Sequence, residues 1–336
     1  MGIDLSLIWF VIIVFATLMY IVMDGFDLGI GILFPLITDE GERDIMVNSV
    51  APVWDGNETW LVLGGAGLFG AFPLAYAVIT DALAIPLTLM LIGLIFRGVA
   101  FEFRFKATPH HKPFWDKAFL AGSLLATFTQ GVVVGAVING FTVTGRTFSG
   151  GALDWLTAFN LFCGLGLVIT YGMLGASWLV MKSAGALQQK MWVAARTLLL
   201  GLLLAMAIVS LWTPLTHEAI AARWFSIPNL WFFAPVPLLV LILSVGLWRT
   251  LHNPQHHTLP FILTLGLIFL GFSGLGISIW PNIIPPDISL WQAASPPQSQ
   301  GFMLVGALLI IPVILVYTFW SYYVFRGKIE HGEGYH

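Results

Sequence analysis

Apolar residues in this chain come in long unbroken runs, without the alternation of a half-buried strand or the stripe of a surface helix. A membrane-spanning helix needs about 20 predominantly apolar residues. Nine runs qualify: 5–24, 57–73, 77–98, 117–138, 155–180, 191–212, 229–249, 259–280 and 302–325. Residues 197–209 and 304–316 lack the in/out alternation of a spanning β-barrel strand. That leaves an α-helical bundle. The first run has no basic residues before it and no small-residue cleavage site after it, so it reads as a first span and not a removable signal peptide. Residues 28–37 prolong it, either as one long tilted helix or as a short second helix bent at Gly25; the pattern leaves both open.

The joint Phe72-Pro73-Leu74-Ala75-Tyr76 between the second and third runs is short, so eight spans with one broken helix is the alternative count. Loop charge separates the two counts, because each added span flips every later loop and cytoplasmic loops are rich in Lys and Arg. Nine spans with the N-terminus outside place Arg43, Arg97, Arg104, Lys106, Lys112, Lys117, Lys182, Lys190, Arg196, Arg249, Arg326 and Lys328 on the cytoplasmic side, leaving only Arg146 and Arg223 outside. The expectation is an all-α polytopic membrane protein forming a single integral domain over residues 1–336. Its N-terminus is periplasmic and its C-terminus cytoplasmic, and its nine helices form two four-helix bundles plus one extra helix. The longest connections, 212–230 and 281–301, carry Pro and Trp suited to the interface. No internal repeat of fixed period is visible.

Composition agrees. Of 336 residues 58% are hydrophobic and 9% charged, against about a quarter charged in soluble domains. A formal charge of -3 provides no basic surface for nucleic acid. One cysteine, Cys163, excludes an internal disulfide, and no Cys/His spacing suits zinc.

Ionisable groups inside spans cost about 2.5–3.5 kcal/mol each on insertion scales, so each is a functional candidate. Asp24 and Asp27, three apart, share a helix face if the helix continues through Gly25; otherwise they cap a break. Nearby carboxylates tend to hold one proton between them, as a proton relay requires. Asp55 and Glu58 repeat the spacing in Trp54-Asp55-Gly56-Asn57-Glu58-Thr59-Trp60. Asp55 is placed to cap the second span, which leaves Glu58, Asn57 and both tryptophans without a structural explanation. Arg97 is a counter-charge candidate; Arg104 reads as a snorkelling anchor, and Glu102 lies between them. Asp81 reads as interfacial. All three clusters fall on the cytoplasmic side, and beyond them the later spans offer only Gln130, Asn160 and scattered Ser and Thr. The polar path therefore ends inside the bilayer or passes into another subunit.

Haem in a membrane bundle is normally held by inward-facing His or Met. The histidines, at 110, 111, 217, 252, 256, 257, 331 and 336, all fall in loops, at span ends or in the tail. No haem or metal bound by this chain alone is expected.

Three motifs carry a family resemblance: Met23-Asp24-Gly25-Phe26-Asp27-Leu28-Gly29-Ile30-Gly31, Asn48-Ser49-Val50-Ala51-Pro52-Val53-Trp54-Asp55-Gly56-Asn57-Glu58-Thr59-Trp60-Leu61 and Phe96-Arg97-Gly98-Val99-Ala100-Phe101-Glu102-Phe103-Arg104. With them the chain resembles subunit II of cytochrome bd-type ubiquinol oxidases, specifically so in roughly its first 105 residues. Glu58, where many members carry glutamine, and the short length resemble the branch described as cyanide-insensitive. The resemblance implies a second, haem-free subunit of a bacterial inner-membrane respiratory complex. That complex oxidises ubiquinol, reduces dioxygen to water with cytoplasmic protons, and builds a proton gradient without pumping. It implies haems b and d, or b-type variants, in a haem-bearing subunit I with which this chain pairs. A very small single-span subunit, lipid and quinone are further implied partners. It assigns the path around Asp55 to proton delivery and the region of Trp60 to dioxygen access. Asp24, Asp27 and Glu58 then serve as relay groups, with Arg97, Glu102, Asn57 and Trp54 in support.

Two other readings compete. A stand-alone proton-coupled transporter also fits a bundle with half-buried acids, although paired broken helices at the midplane are absent from the pattern. An inert scaffold for subunit I would need none of the acids.

Overall fold

A computed structural model describes residues 4–253 and 255–329; His331 and His336 lie outside them. Helix α1 (Leu5–Leu33) is capped by Asp4, whose carboxylate accepts from the Leu7 amide at 3.1 Å and the Trp291 indole at 2.8 Å. Those hydrogen bonds hold the Asp4 carboxyl below its ordinary value. α1 continues without a break through Gly25 and ends in a 3₁₀ turn at Phe34–Leu36, where Pro35 cannot extend it. A short helix absent from the span pattern, α2 (Glu40–Asn48), follows. Next come α3 (Trp54–Ala71), α4 (Pro73–Ala82), α5 (Ala84–Lys106) and α6 (Lys112–Asn139). After a small hairpin of β1 (Val143–Thr144) and β2 (Thr147–Phe148) stand α7 (Ala158–Lys182), α8 (Gly185–Thr216), α9 (Glu218–Phe225), α10 (Asn229–Phe233), α11 (Pro235–His252) and α12 (Leu259–Ile279). A second hairpin, β3 (Asn282–Ile284) with β4 (Ile288–Ser289), leads through α13 (Leu290–Ala293) to α14 (Pro297–Val324).

Among the described residues eight helices are long and apolar enough to cross a membrane alone, and the bent pair α3/α4 meets that test only when its two helices are taken together, which gives eight or nine spans. The boundary expected at residue 77 shifts. Residues 73–82 form a separate helix turned 118° from α3, and the next long helix starts at Ala84. Pro73, at the first position of α4, lacks the amide that would continue α3, and Phe72 is extended away from helical geometry. Asp81 on α4 is exposed.

The packing joins α1 to α3, α6 and α7, α5 to α6, and α7 to α8 and α12, while α14 touches mainly α1 and α3. Glycines close several crossings, two of them beside the site described below. At the α1/α7 crossing Gly29 and Gly175 face each other so closely that a Cβ on Gly29 would overlap the Tyr171 carbonyl oxygen. At α5/α6 a Cβ on Gly122 would stand 2.6 Å from the Gly93 oxygen. Such small-residue contacts bring backbones together where lipid gives no hydrophobic drive. An aromatic cluster beside the first crossing stacks Phe26 on Trp178 at 4.1 Å between centroids.

Alanine at Gly29 would force a methyl into that carbonyl, so Gly29→Ala should lose about 1–3 kcal/mol of stability. A thermal melt of the detergent-solubilised protein should show a lowered midpoint, while Gly276→Ala, which meets nothing within 4 Å, should leave it unchanged.

Candidate functional site

The unbroken α1 puts Asp24 and Asp27 on one face, nine and six residues from the helix end at Leu33, or about 14 and 9 Å inside at 1.5 Å per residue. Both side chains are fully buried. α5 brings Arg97 to them, also fully buried, and its Nη2 donates to Asp24 Oδ1 and to Glu58 Oε1, each at 2.6 Å. The guanidinium lies 5.5 Å from the Trp54 ring centroid, and Trp54 stacks on Phe101. Asn57 completes the set: its Nδ2 donates to Asp27 Oδ2 at 2.8 Å and to the Met23 carbonyl at 3.3 Å. Its Oδ1 accepts from the Tyr322 hydroxyl at 2.8 Å. Asp24, Asp27, Asn57, Glu58 and Arg97 thus form one network between α1, α3 and α5. Glu58, whose side chain is 29% exposed, is the opening of that network.

The other expected residues lie apart. Asp55 is exposed on the first turn of α3, one turn before Glu58, and does not cap the helix; Val53 occupies the cap position without a side-chain bond. The helix begins one residue before Asp55, which puts Asp55 inside the first turn and past the cap position. Glu102 is exposed at the end of α5. Trp60 is fully buried against Ala16, Tyr20 and Met23, edge-on to Phe15 at 5.6 Å.

Arg104 is not a snorkelling anchor. Its side chain is buried, donating from Nε to Asp116 and from Nη1 to Asp44, both at 2.6 Å, while Asp116 also accepts from Arg43 at 2.8 Å. Helix α2, which the span pattern did not contain, folds Arg43 and Asp44 back over the ends of α5 and α6 and shields the guanidinium. Lys112 to Glu40 and Lys190 to Glu42 extend this lattice, each at 2.6 Å.

Sequence reasoning also left Tyr20, Tyr171 and Tyr322 unmarked. Gln130 donates to the Tyr20 hydroxyl at 2.7 Å and accepts from Tyr171 at 3.1 Å, and Tyr20 lies beside Asp24. For Tyr20 and Tyr171 the detectable signal was the polar stripe Ser123, Thr127, Gln130 on one face of α6, all three buried.

The described histidines stand at helix ends and in loops. His217, between α8 and α9, contacts Asn139 Oδ1 at 3.1 Å, and burial lowers its imidazole below the ordinary value. His257 is lowered by burial first, then by Lys328 and His256. Among the described residues no group of three or more His, Cys, Asp or Glu is placed to hold a metal ion.

The family profile described as "Cytochrome bd terminal oxidase subunit II" matches residues 5–325. "Probable cytochrome oxidase subunit 2" of Haemophilus influenzae is 29% identical across 97% of this chain and 95% of that protein. "Cytochrome bd-I ubiquinol oxidase subunit 2" of Escherichia coli K12 is 28% identical with the same coverage, and the Bacillus subtilis "Cytochrome bd ubiquinol oxidase subunit 2" is 26% identical over 97% of both chains. The solved bd oxidase of Geobacillus thermodenitrificans shares the fold, with a TM-score of 0.72 at 18% identity over 94% of this chain and 98% of the other. The chain belongs to the cytochrome bd terminal oxidase subunit II family and is a multi-pass membrane subunit of a bd-type oxidoreductase complex.

Proposed function

We propose that this chain serves a quinol-oxidising, dioxygen-reducing complex as its haem-free second subunit, carrying protons from the cytoplasm towards haem held by subunit I. The observation that carries this reading is the buried network around Arg97, which opens at half-buried Glu58. Two carboxyls paired with one guanidinium and a third, Asp27, one helical turn from Asp24 are together electrically neutral only with two protons bound. Leaving that charge unbalanced in a low-dielectric interior is expensive. The set therefore has the capacity to take up and release protons, with Asp55 one turn away as the exposed starting group. Asp24 Oδ2, Asp27 Oδ1 and Arg97 Nε and Nη1 have no hydrogen-bond partner among the described residues, and buried polar atoms in such sites are commonly bridged by water.

The orientation follows from charge. The ion pairs of α2 with Lys112 and Lys190, and the Arg196 bond to the Leu251 carbonyl, belong to the same end of the bundle as the network. Arg146 and Arg223 sit in β-hairpin and α9 segments at the other end. The positive-inside bias makes the network end cytoplasmic and the N-terminal end periplasmic. The membrane is the bacterial inner membrane, and the partners are subunit I, ubiquinol, lipid and a small single-span subunit. Dioxygen access past Trp60 belongs to the same reading.

The first test is purification through a tag from the native membrane. A reduced-minus-oxidised haem spectrum and quinol-dependent oxygen uptake in the purified material are expected; a colourless, solitary, inactive protein would overturn the reading. In that complex Asp55→Asn and Asp24→Asn should each lower oxygen uptake about tenfold, a modest share of what a positioned proton-transfer group contributes. The haem spectrum should stay unchanged, and wild-type rates in both variants would remove the proton role. Arg97→Met leaves three carboxyls without a counter-charge, a loss of about 3–5 kcal/mol for a broken buried pair. Membranes should then hold little assembled complex, measured by haem content per cell, with partial recovery in Arg97→Lys.

A further inference from the structure

Helix α14 is the least embedded of the long helices. Only Gln300 and Ala307 along it are buried, and polar contacts fix it at both ends. Near its start the Trp9 indole donates to the Gln300 carbonyl at 3.0 Å, and Gln300 donates to Ser6 at 3.1 Å. At its far end Lys182 of α7 donates to the carbonyls of Phe325 and Gly327, which the end of the helix leaves without intrahelical partners. The Ile329 amide returns a bond to the Lys182 carbonyl at 2.9 Å.

Tyr322 stands one turn before this clamp. Its ring is edge-on to Phe26 and Trp178, at 6.4 and 6.1 Å between centroids. Its hydroxyl reaches the Asn57 carboxamide oxygen at 2.8 Å. The chemistry of that amide runs one way. Its NH₂ already faces two acceptors, Asp27 Oδ2 and the Met23 carbonyl. Turning the amide over would point its oxygen at both of them. The oxygen must therefore lie on the Tyr322 side and can only accept, so the phenol donates. Asn57 is 1% exposed, and without the phenol its buried oxygen would lose its partner.

We propose that Tyr322 is a positioning residue for the Asp27 carboxyl, acting through Asn57: it holds the amide that presents a donor to Asp27, while the Lys182 clamp holds the segment bearing Tyr322. The proposal rests on the proton-route reading above and adds the last helix to that route.

The test uses the whole oxidase complex carrying Tyr322→Phe, Asp27→Asn or both. Tyr322→Phe keeps the ring in its aromatic surroundings and removes only the hydroxyl. Quinol-dependent oxygen uptake gives kcat and the quinol KM, and the haem spectrum and thermal midpoint report assembly. We expect Asp27→Asn to lower kcat about tenfold and Tyr322→Phe to lower it roughly threefold to tenfold with KM unchanged. The double variant should be no slower than Asp27→Asn, because both changes act on one group. A wild-type kcat in Tyr322→Phe beside a slow Asp27→Asn overturns the positioning role and leaves the proton route standing. Losses that multiply in the double variant also overturn it, since Tyr322 would then act independently of Asp27. A wild-type rate in Asp27→Asn instead overturns the route at this carboxyl, and the proposal with it. Should Tyr322→Phe not assemble, Asn57→Leu severs the same link from the other side; a kcat loss absorbed in the Asp27→Asn background supports the proposal, and a wild-type kcat overturns it.

Discussion

A guanidinium with no exposed surface sets the terms for this molecule. Moving one ion from water into a medium of low dielectric costs several kcal/mol even after relaxation, and the attraction of its partners offsets that only with close geometry. Arg97 obtains it by placing one nitrogen 2.6 Å from both Asp24 and Glu58. Three helices must therefore arrive at one point with their charged positions in register. α1 has to run unbroken through Gly25, α3 has to present Glu58 inward, and α5 has to lie against its neighbour closely enough to deliver Arg97. The tight crossing of Gly93 and Gly122 lies one turn along α5 from Arg97, so close backbone packing and ion pairing support each other.

Such an arrangement is weak evidence for stability, because apolar residues of similar volume often hold a core as well. Its better explanation is use. The two buried ionic centres also differ in charge balance. Around Arg104, Asp116 and Asp44 face Arg104 and Arg43, so cations and anions match, and the lattice ties α2 to α5 and α6. Around Arg97 the carboxyls outnumber the cation. A balanced cluster fastens, and an unbalanced one has reason to exchange protons. That contrast separates a structural lattice from a proposed route within one protein and at one end of its bundle.

Much of this was legible beforehand. The runs of apolar residues marked the long helices because a spanning segment must satisfy its own backbone, and Asp24, Asp27, Glu58 and Arg97 stood out because charges in such runs are rare. The pattern was silent where local chemistry and tertiary contact decide. The pattern marked the joint at Phe72 and Pro73, but hydropathy over residues 77–98 does not register that residues 73–82 form a separate helix turned by 118°. α2 is polar and short, so no span search finds it, yet it converts Arg104 from a surface residue into a buried one. Asp55 looked like a cap because its residue type suits one, but the helix starts at Trp54 and leaves it exposed. Tyr322 carried no signal at all, since a tyrosine near the end of a span is ordinary and its partner Asn57 is 265 residues away in sequence.

The weak embedding of α14 bears on how the site relates to its surroundings. A helix buried on several sides is held by many small contacts, and moving it disturbs all of them together. α14 packs one side on α1 and α3, is held by polar contacts at its ends, and has an apolar outer face. Through Tyr322 that helix is bonded to Asn57, and through Asn57 to the Asp27 carboxyl. Arg97 instead pairs with Asp24 between α5 and α1. The two carboxyls of α1 are therefore tied to different helices, Asp24 to α5 through Arg97 and Asp27 to α14 through Asn57 and Tyr322, a difference that follows from where each helix sits in the bundle.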